Sequence, residues 1–217
     1  MKTYGKTIAI AAVVSALSLP VFAMTPSSPA SNGMQSSSMN QSGAQEAARM
    51  VPAKAMLSKA LDSSKDQPSS MIEAKLRSKV TLSDGTVLPS NTILTGTVTT
   101  DEMHQGAMAK LALRFTHAQL KDGKVVPIKA TIIDILTPGS LATGNVTTGF
   151  DDNAPNSWTD KTLAVDQLGV ISGVDLHSRI ASQNSAVFVS TSKHDVKLPK
   201  GSELQIAIGP AASASNS

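Results

Sequence analysis

The sequence predicts an all-β domain, a small partly open barrel or sandwich of about seven strands. Three observations carry that prediction. Apolar residues alternate with polar ones in short runs, the pattern of half-buried strands with one wet face. Asp84-Gly85 and Asp122-Gly123 stand between such runs, and Asp-Gly is a strong hairpin signal. Finally, one phrase occurs twice, as Leu88-Pro89-Ser90-Asn91-Thr92-Ile93-Leu94 and as Leu198-Pro199-Lys200-Gly201-Ser202-Glu203-Leu204. Pro89 and Pro199 fix φ, and the matched Asn91 and Gly201 are the residue types that best tolerate positive φ. The phrase predicts a tight corner between strands, with positive φ at Asn91 and Gly201. It contains no obvious reactive group.

Taken in chain order, Lys2 and Lys6 precede an apolar stretch from Ile8 to Leu19, followed by Pro20-Val21-Phe22-Ala23. A basic start, a short apolar core and small residues at positions −3 and −1 predict a secretory signal peptide over residues 1–23. The apolar stretch is shorter than the ~20 residues that span a bilayer. Residues 24–48 are rich in Ser, Asn, Gln and Gly and poor in large apolar residues. Such a segment buries too little to offset its ordering entropy, so a disordered linker is expected. The folded domain is placed at 49–209, with a disordered tail at 210–217.

Strands are expected over Glu73–Leu82, Thr86–Leu88, Thr92–Thr100, Ala109–Ala118 and Lys124–Leu136, joined by short turns. In the last of these the phase slips at Ile132-Ile133, which predicts a bulge or burial on both faces. Residues 137–185 then form a long excursion punctuated by Pro138, Gly139, Gly144, Gly149 and Pro155. Trp158 is expected to plug one mouth of the fold, and Thr159-Asp160 to cap a short helix through Leu168. Strand periodicity returns at Gly173–Ile180 and Ala186–Ser190, before the second corner and a last strand through Leu204, Ile206 and Ile208.

A resemblance rests on Ala55-Met56-Leu57-Ser58-Lys59-Ala60-Leu61-Asp62, Ile72-Glu73-Ala74-Lys75-Leu76, Asp84-Gly85-Thr86-Val87-Leu88-Pro89, Leu94-Thr95-Gly96-Thr97-Val98, Leu111-Ala112-Leu113-Arg114-Phe115 and Leu120 through Ile128. In this order the segments resemble an exported TrbI-like β-barrel family. It includes scaffold subunits of bacterial conjugation and type IV secretion, and exported proteins of soil bacteria such as acidobacteria. The resemblance implies a β-barrel and a Pro-Lys-Gly-Ser/Thr corner ahead of a Gly-x-Val strand. Pro199-Lys200-Gly201-Ser202 matches that corner; Pro89-Ser90-Asn91-Thr92 departs from it by Asn for Gly. The scaffold subunits carry a transmembrane helix before the barrel and often a helical antenna, whereas a cleavable signal is expected here. A free-standing exported relative is the reading that fits.

Chemistry leaves little trace. No Cys is present, which excludes disulfides, thiolate metal sites, a Cys nucleophile and a lipid-anchored Cys. Lys2 and Lys6 are two of 19 basic side chains and no acid precedes residue 24, so the remainder sets 17 bases against 16 acids. With one Trp and one Tyr, the chain lacks the basic, aromatic face of a nucleic-acid binder. His104, His117, His177 and His194 have no Gly-x-Ser-x-Gly elbow or other positional signature beside them. Asp175 and His177 are expected to share one face of a strand, the best of the weak hydrolase candidates. Met103, His104 and Met108 offer soft ligands suited to Cu(I). Asp151, Asp152, Asn153, Asn156 and Asp160 offer hard oxygens without the spacing of a calcium loop. Lys75, Arg77 and Lys79, with Lys110 and Arg114, read as solvated sheet faces.

The expectation is therefore a non-catalytic binding or scaffold module of the periplasm or exterior, without catalytic residues, cofactor or bound metal. Its partner would be an envelope protein or polymer, not nucleic acid. No transmembrane segment is expected after signal cleavage, and a homo-oligomer is allowed. The alternatives are a ring-forming component of a type IV secretion-like apparatus, an envelope hydrolase and a copper-binding protein.

Overall fold

The computed structural model describes residues 42–101, 106, 109–138 and 162–211. In chain order these form a short helix, α1 (42–48), and the strands β1 (Val51–Leu57), β2 (Leu61–Asp62), β3 (Met71–Leu76), β4 (Val80–Thr81), β5 (Val87–Leu88), β6 (Ile93–Thr99), β7 (Lys110–Gln119), β8 (Val125–Leu136), β9 (Ala164–Ile171), β10 (Val174–Arg179), β11 (Ala186–Ser190), β12 (Lys197–Leu198) and β13 (Glu203–Pro210). Six of them close into an antiparallel barrel in the order β6-β3-β1-β13-β8-β7, sealed by pairing of β6 with β7. The barrel is closed, not partly open, because β6 and β7 stay paired from Ile93↔Gln119 to Thr99↔Ala112. A barrel of this size has room inside for side chains only. Leu57, Ile72, Leu76, Leu94, Leu113, Ile132 and Leu204 fill it, all fully buried. Its interior is a core and not a ligand cavity.

The repeated phrase is one corner built twice. Asn91 has φ 66° and Gly201 φ 83°. In the first copy the Asn91 N–H donates to the Leu76 carbonyl at 2.9 Å, and the Leu76 N–H donates to the Thr92 carbonyl at 2.9 Å. In the second, the Gly201 N–H donates to Leu57 O at 3.0 Å and the Leu57 N–H to Ser202 O at 2.9 Å. The Thr92 and Ser202 hydroxyls each donate to the carbonyl of their corner proline, Pro89 or Pro199, at 2.8 Å. Each corner thus locks the end of a neighbouring strand. Two small ladders support them: Val80↔Leu88 under the first and Leu61↔Leu198 under the second.

The equivalence extends over half the barrel. The pairs Lys75↔Ile93, Ala74↔Leu94 and Ile72↔Gly96 of β3–β6 match Met56↔Glu203, Ala55↔Leu204 and Ala53↔Ile206 of β1–β13. Bulges then fall at the same place: between Thr95 and Gly96 against β7, and between Gln205 and Ile206 against β8. The second bulge leaves Ile133 as the extra residue, and Thr131, Ile132 and Ile133 are all buried. That meets the expectation of a slip with burial on both faces. β3-β6-β7 and β1-β13-β8 are therefore one three-strand unit used twice. The units meet at β1–β3, where the equivalent residues Met56 and Lys75 face each other.

Several elements depart from the sequence reading. Strand β1 was not expected: its inward residues include Ala53 and Ala55, too small to mark an apolar stripe, and it contains Pro52. That proline pairs with β13 only, since β3 reaches no further along β1 than Ala55, so its missing N–H costs no ladder bond. The segment expected to be unstructured to residue 48 holds α1. Glu46 bridges Lys129 of β8 at 2.8 Å, and Ala47 and Met50 are buried. A Cβ on Gly209 of β13 would meet Arg49 O and Met50 Cγ at 3.4 Å, so the absence of a side chain lets this segment lie close. The helix expected through Leu168 is a strand from Ala164 onward; tertiary pairing with β10 overrides the local pattern. Trp158, Thr159 and Asp160 lie outside the described residues.

Candidate functional site

Three strands outside the barrel, β11, β10 and β9, continue the sheet from β7. They are possible because β7 and β8 pair only near their shared turn, from His117↔Pro127 to Gln119↔Val125. Beyond it β8 leaves β7, and β11 takes its place from Leu113↔Ala186 to Lys110↔Val189. Ser185 fills the fork. Its N–H donates to Leu113 O at 2.7 Å, its hydroxyl accepts from the Phe115 N–H at 3.0 Å, and its carbonyl accepts from the Ile132 N–H at 2.8 Å. Ser178 adds a bond from its hydroxyl to Ile132 O at 2.8 Å. Buried backbone groups at a divergence need such partners, so two serines that read as unremarkable in sequence are structural pins.

The outer face of this flange is a continuous cross-strand row. Thr99 faces Ala112, Ala112 faces Val187, Val187 faces His177, and His177 faces Asp166. Residues opposite one another share a face, and the buried Ala112 and Val187 lie between two polar ends. At one end Asp166 uses both oxygens: Oδ1 lies 2.7 Å from His177 Nδ1 and Oδ2 2.5 Å from Arg179 Nη2. The Arg179 bond, and then the His177 bond, hold the Asp166 carboxyl below its ordinary pKa. Asp175, expected beside His177, instead accepts the Gly169 N–H at 2.8 Å and stabilises the hairpin. Asp175 and His177 share the outward face of β10, as expected, but the carboxylate bonded to His177 is Asp166, adjacent across strands and invisible to spacing along one strand.

At the other end lies the turn 182–184. Thr99 donates to Asn184 Oδ1 at 2.7 Å, and Asn184 Nδ2 reaches Thr100 O at 3.4 Å. A cleft of about 360 Å³ lies here, lined by Thr99, Thr100, Asp101, Arg114, Gln183 and Ser182 among others. A smaller pocket at His177 and Arg179 shares Ser182 and Asn184 with it. The Asp101 side chain is only 1% exposed and faces Lys110, whose Nζ lies 3.9 Å from its Oδ2 and 3.0 Å from its carbonyl.

Other candidates fall elsewhere. His117 is exposed and bonded to the Thr116 hydroxyl at 2.9 Å; His194 is exposed on the loop before β12. The cleft serines are committed to backbone: Ser182 Oγ accepts from the Asn184 N–H at 3.0 Å. Lys75 is exposed on β3 and Arg77 just beyond its end, and Arg77 approaches Glu203 at 3.7 Å. Met103, His104 and Met108, and the oxygens at 151–160, lie outside the described residues. Among the described residues no cluster of three His, Asp or Glu could hold a metal, and no helix is long and apolar enough to cross a membrane.

No family model matches the chain, and no curated protein matches it. Among solved structures, the chain is similar to ComB10 of the Com type IV secretion system of Helicobacter pylori. The match has 9% identity and a TM-score of 0.35, over 75% of this chain and 88% of that one.

Proposed function

We propose that this protein is a non-catalytic binding or scaffold module of the cell envelope, reached by the signal peptide at 1–23. The observation that carries the reading is where the fold spends its polar side chains. The barrel interior is filled, so recognition falls to the outer face, which the flange extends beyond the six barrel strands. Its last strand, β9, has an unpaired edge among the described residues, with Leu168 80% exposed. Open edges and exposed large apolar residues are where proteins meet partners. The cleft serines serve backbone geometry, which supports a role without chemistry. Fractionation with mass spectrometry tests the location: a periplasmic species beginning at Met24 is expected, and a cytoplasmic species retaining residues 1–23 would sink it. Site-specific photo-cross-linking from position 168 tests the role. A discrete adduct that disappears when the cross-linker is moved to position 87 on β5 is expected; the same adducts from both positions would oppose it.

The second reading is a ring-forming part of a type IV secretion-like apparatus. The resemblance of the barrel segments to TrbI-like scaffolds favours it. Sedimentation velocity separates the two, since a ring former gives one large discrete species and a free-standing module does not.

A further inference from the structure

We propose that the cleft between β6, β7 and the 182–184 turn binds a small acidic sugar or hydroxy acid, with its carboxylate on Arg114. This rests on the binding-module reading and names a ligand class for it. Arg114 points outward from β7, between the buried Leu113 and Phe115, and is half-buried. Its guanidinium has no ion pair among the described residues, whereas Arg77 approaches Glu203 and Arg179 is bonded to Asp166. A planar guanidinium is built for a bidentate carboxylate. The acid among the described lining residues, Asp101, has its side chain buried beside Lys110 and not on Arg114.

The rest of the wall describes the body of the ligand. Thr99, Thr100, Ser182, Gln183 and Asn184 present hydroxyls and amides, and among the described residues no Leu, Ile, Phe or Met lines the cleft. An apolar ligand would gain nothing there, while a polyol could exchange its water hydrogen bonds for protein ones. Asn184 is fixed by its bonds to Thr99 and Thr100, so the wall is set before the ligand arrives. Gln183 is exposed and has no hydrogen-bond partner among the described residues, which leaves its amide available. The volume of about 360 Å³ suits one sugar ring and is at the low end for small-molecule sites.

The test is a titration of the ¹⁵N-labelled protein with D-glucuronate and N-acetylmuramate, using glucose and acetate as controls. Shifts confined to the Thr100, Gln183 and Asn184 amides, saturating near about 1 mM, are expected. Arg114→Gln should weaken binding by about 10-fold, the scale of one charge-assisted pair. If Arg114→Gln fails to fold, Gln183→Ala on the turn should still weaken binding by about threefold. The idea is overturned by no shifts up to about 20 mM, by equal binding of glucose, by acetate binding as well as glucuronate, or by an unaffected Arg114→Gln. None of these outcomes touches the photo-cross-linking result, so the ligand and the module stand or fall separately.

Discussion

The two halves of the barrel share one register and differ where each meets something else. In the first, β6 carries Gly96 at its bulge; in the second, β13 carries Ile206 at the equivalent place. A Cβ on Gly96 would overlap the Arg114 carbonyl and sit 2.7 Å from the Phe115 Cα. Ile206 is fully buried and fills the corresponding space with side chain. The same backbone plan therefore tolerates either tight strand contact or bulk at this point, according to how closely the next strand passes. The outer face diverges too. Arg114 on β7 and Thr131 on β8 are equivalent, yet Arg114 opens on a cleft while Thr131 is buried with its hydroxyl unpaired among the described residues. Equivalent backbone does not mean equivalent chemistry.

The largest effect should come from exchanging the bulge residues. Gly96→Ala is expected to cost about 3 kcal/mol, since rigid backbone must move to admit the methyl. Ile206→Ala should cost a similar ~3 kcal/mol, but by leaving a cavity. Urea unfolding of both variants checks this, and a cost below about 1 kcal/mol for Gly96→Ala would mean that the strands can part there. Next come the corners. Gly201→Ala forces a side chain into positive φ and should cost about 1–2 kcal/mol. Its Cβ would meet only Pro138 Cγ, at 3.6 Å, so that cost is conformational. Asn91→Gly should be neutral or stabilising by up to ~1 kcal/mol, because the strain already present is relieved.

Thr131→Val is expected to raise stability by about 1 kcal/mol, since it removes a buried hydroxyl without a partner and keeps its shape. A loss of stability would show that the hydroxyl is satisfied. The smallest effect lies on the flange. Asp166 is half-exposed, so its pairs with Arg179 and His177 are screened. Asp166→Asn should cost less than about 1 kcal/mol at neutral pH. Because the folded pKa is lowered, the contribution is present above the unfolded value of about 3.9 and is lost as pH falls through the folded one. Thermal unfolding of wild type and Asp166→Asn should therefore converge only in acid, and a difference that does not shrink there would exclude the Asp166 carboxylate as its source.

Much of the barrel was legible along the chain. The strands from Met71 to Leu136 announce themselves by alternation and by Asp-Gly turns, although the one strand expected over Glu73–Leu82 is two, β3 and β4, with a break at 77–79. The slip at Ile132-Ile133 marks a bulge, and the doubled phrase marks both corners. β1 was hidden because Ala and Pro carry too little apolar contrast, although the identity of its neighbours makes it a central strand. β9 was hidden because Leu163 to Leu168 carries no strict alternation; pairing with β10 decides its state. The site was less legible than the fold. Its row runs across five strands, through Thr99, Ala112, Val187, His177 and Asp166, and sequence spacing records only neighbours on one strand.

What the sequence determined by itself was local: where strands run, which residues turn inward, and that Asn91 and Gly201 take positive φ. Side-chain sterics and two-residue periodicity act within a few residues, so one chain is enough to read them. Only the tertiary structure decided which strand end each corner locks. Asn91 bonds to Leu76 within its own half, while Gly201 bonds to Leu57 from the far end of the domain. It also decided that β7 parts from β8 to admit a flange, and that Arg114 and the 182–184 turn line one cleft. Those outcomes depend on which strand edges find each other in space, and that choice is made by the packing of the whole barrel.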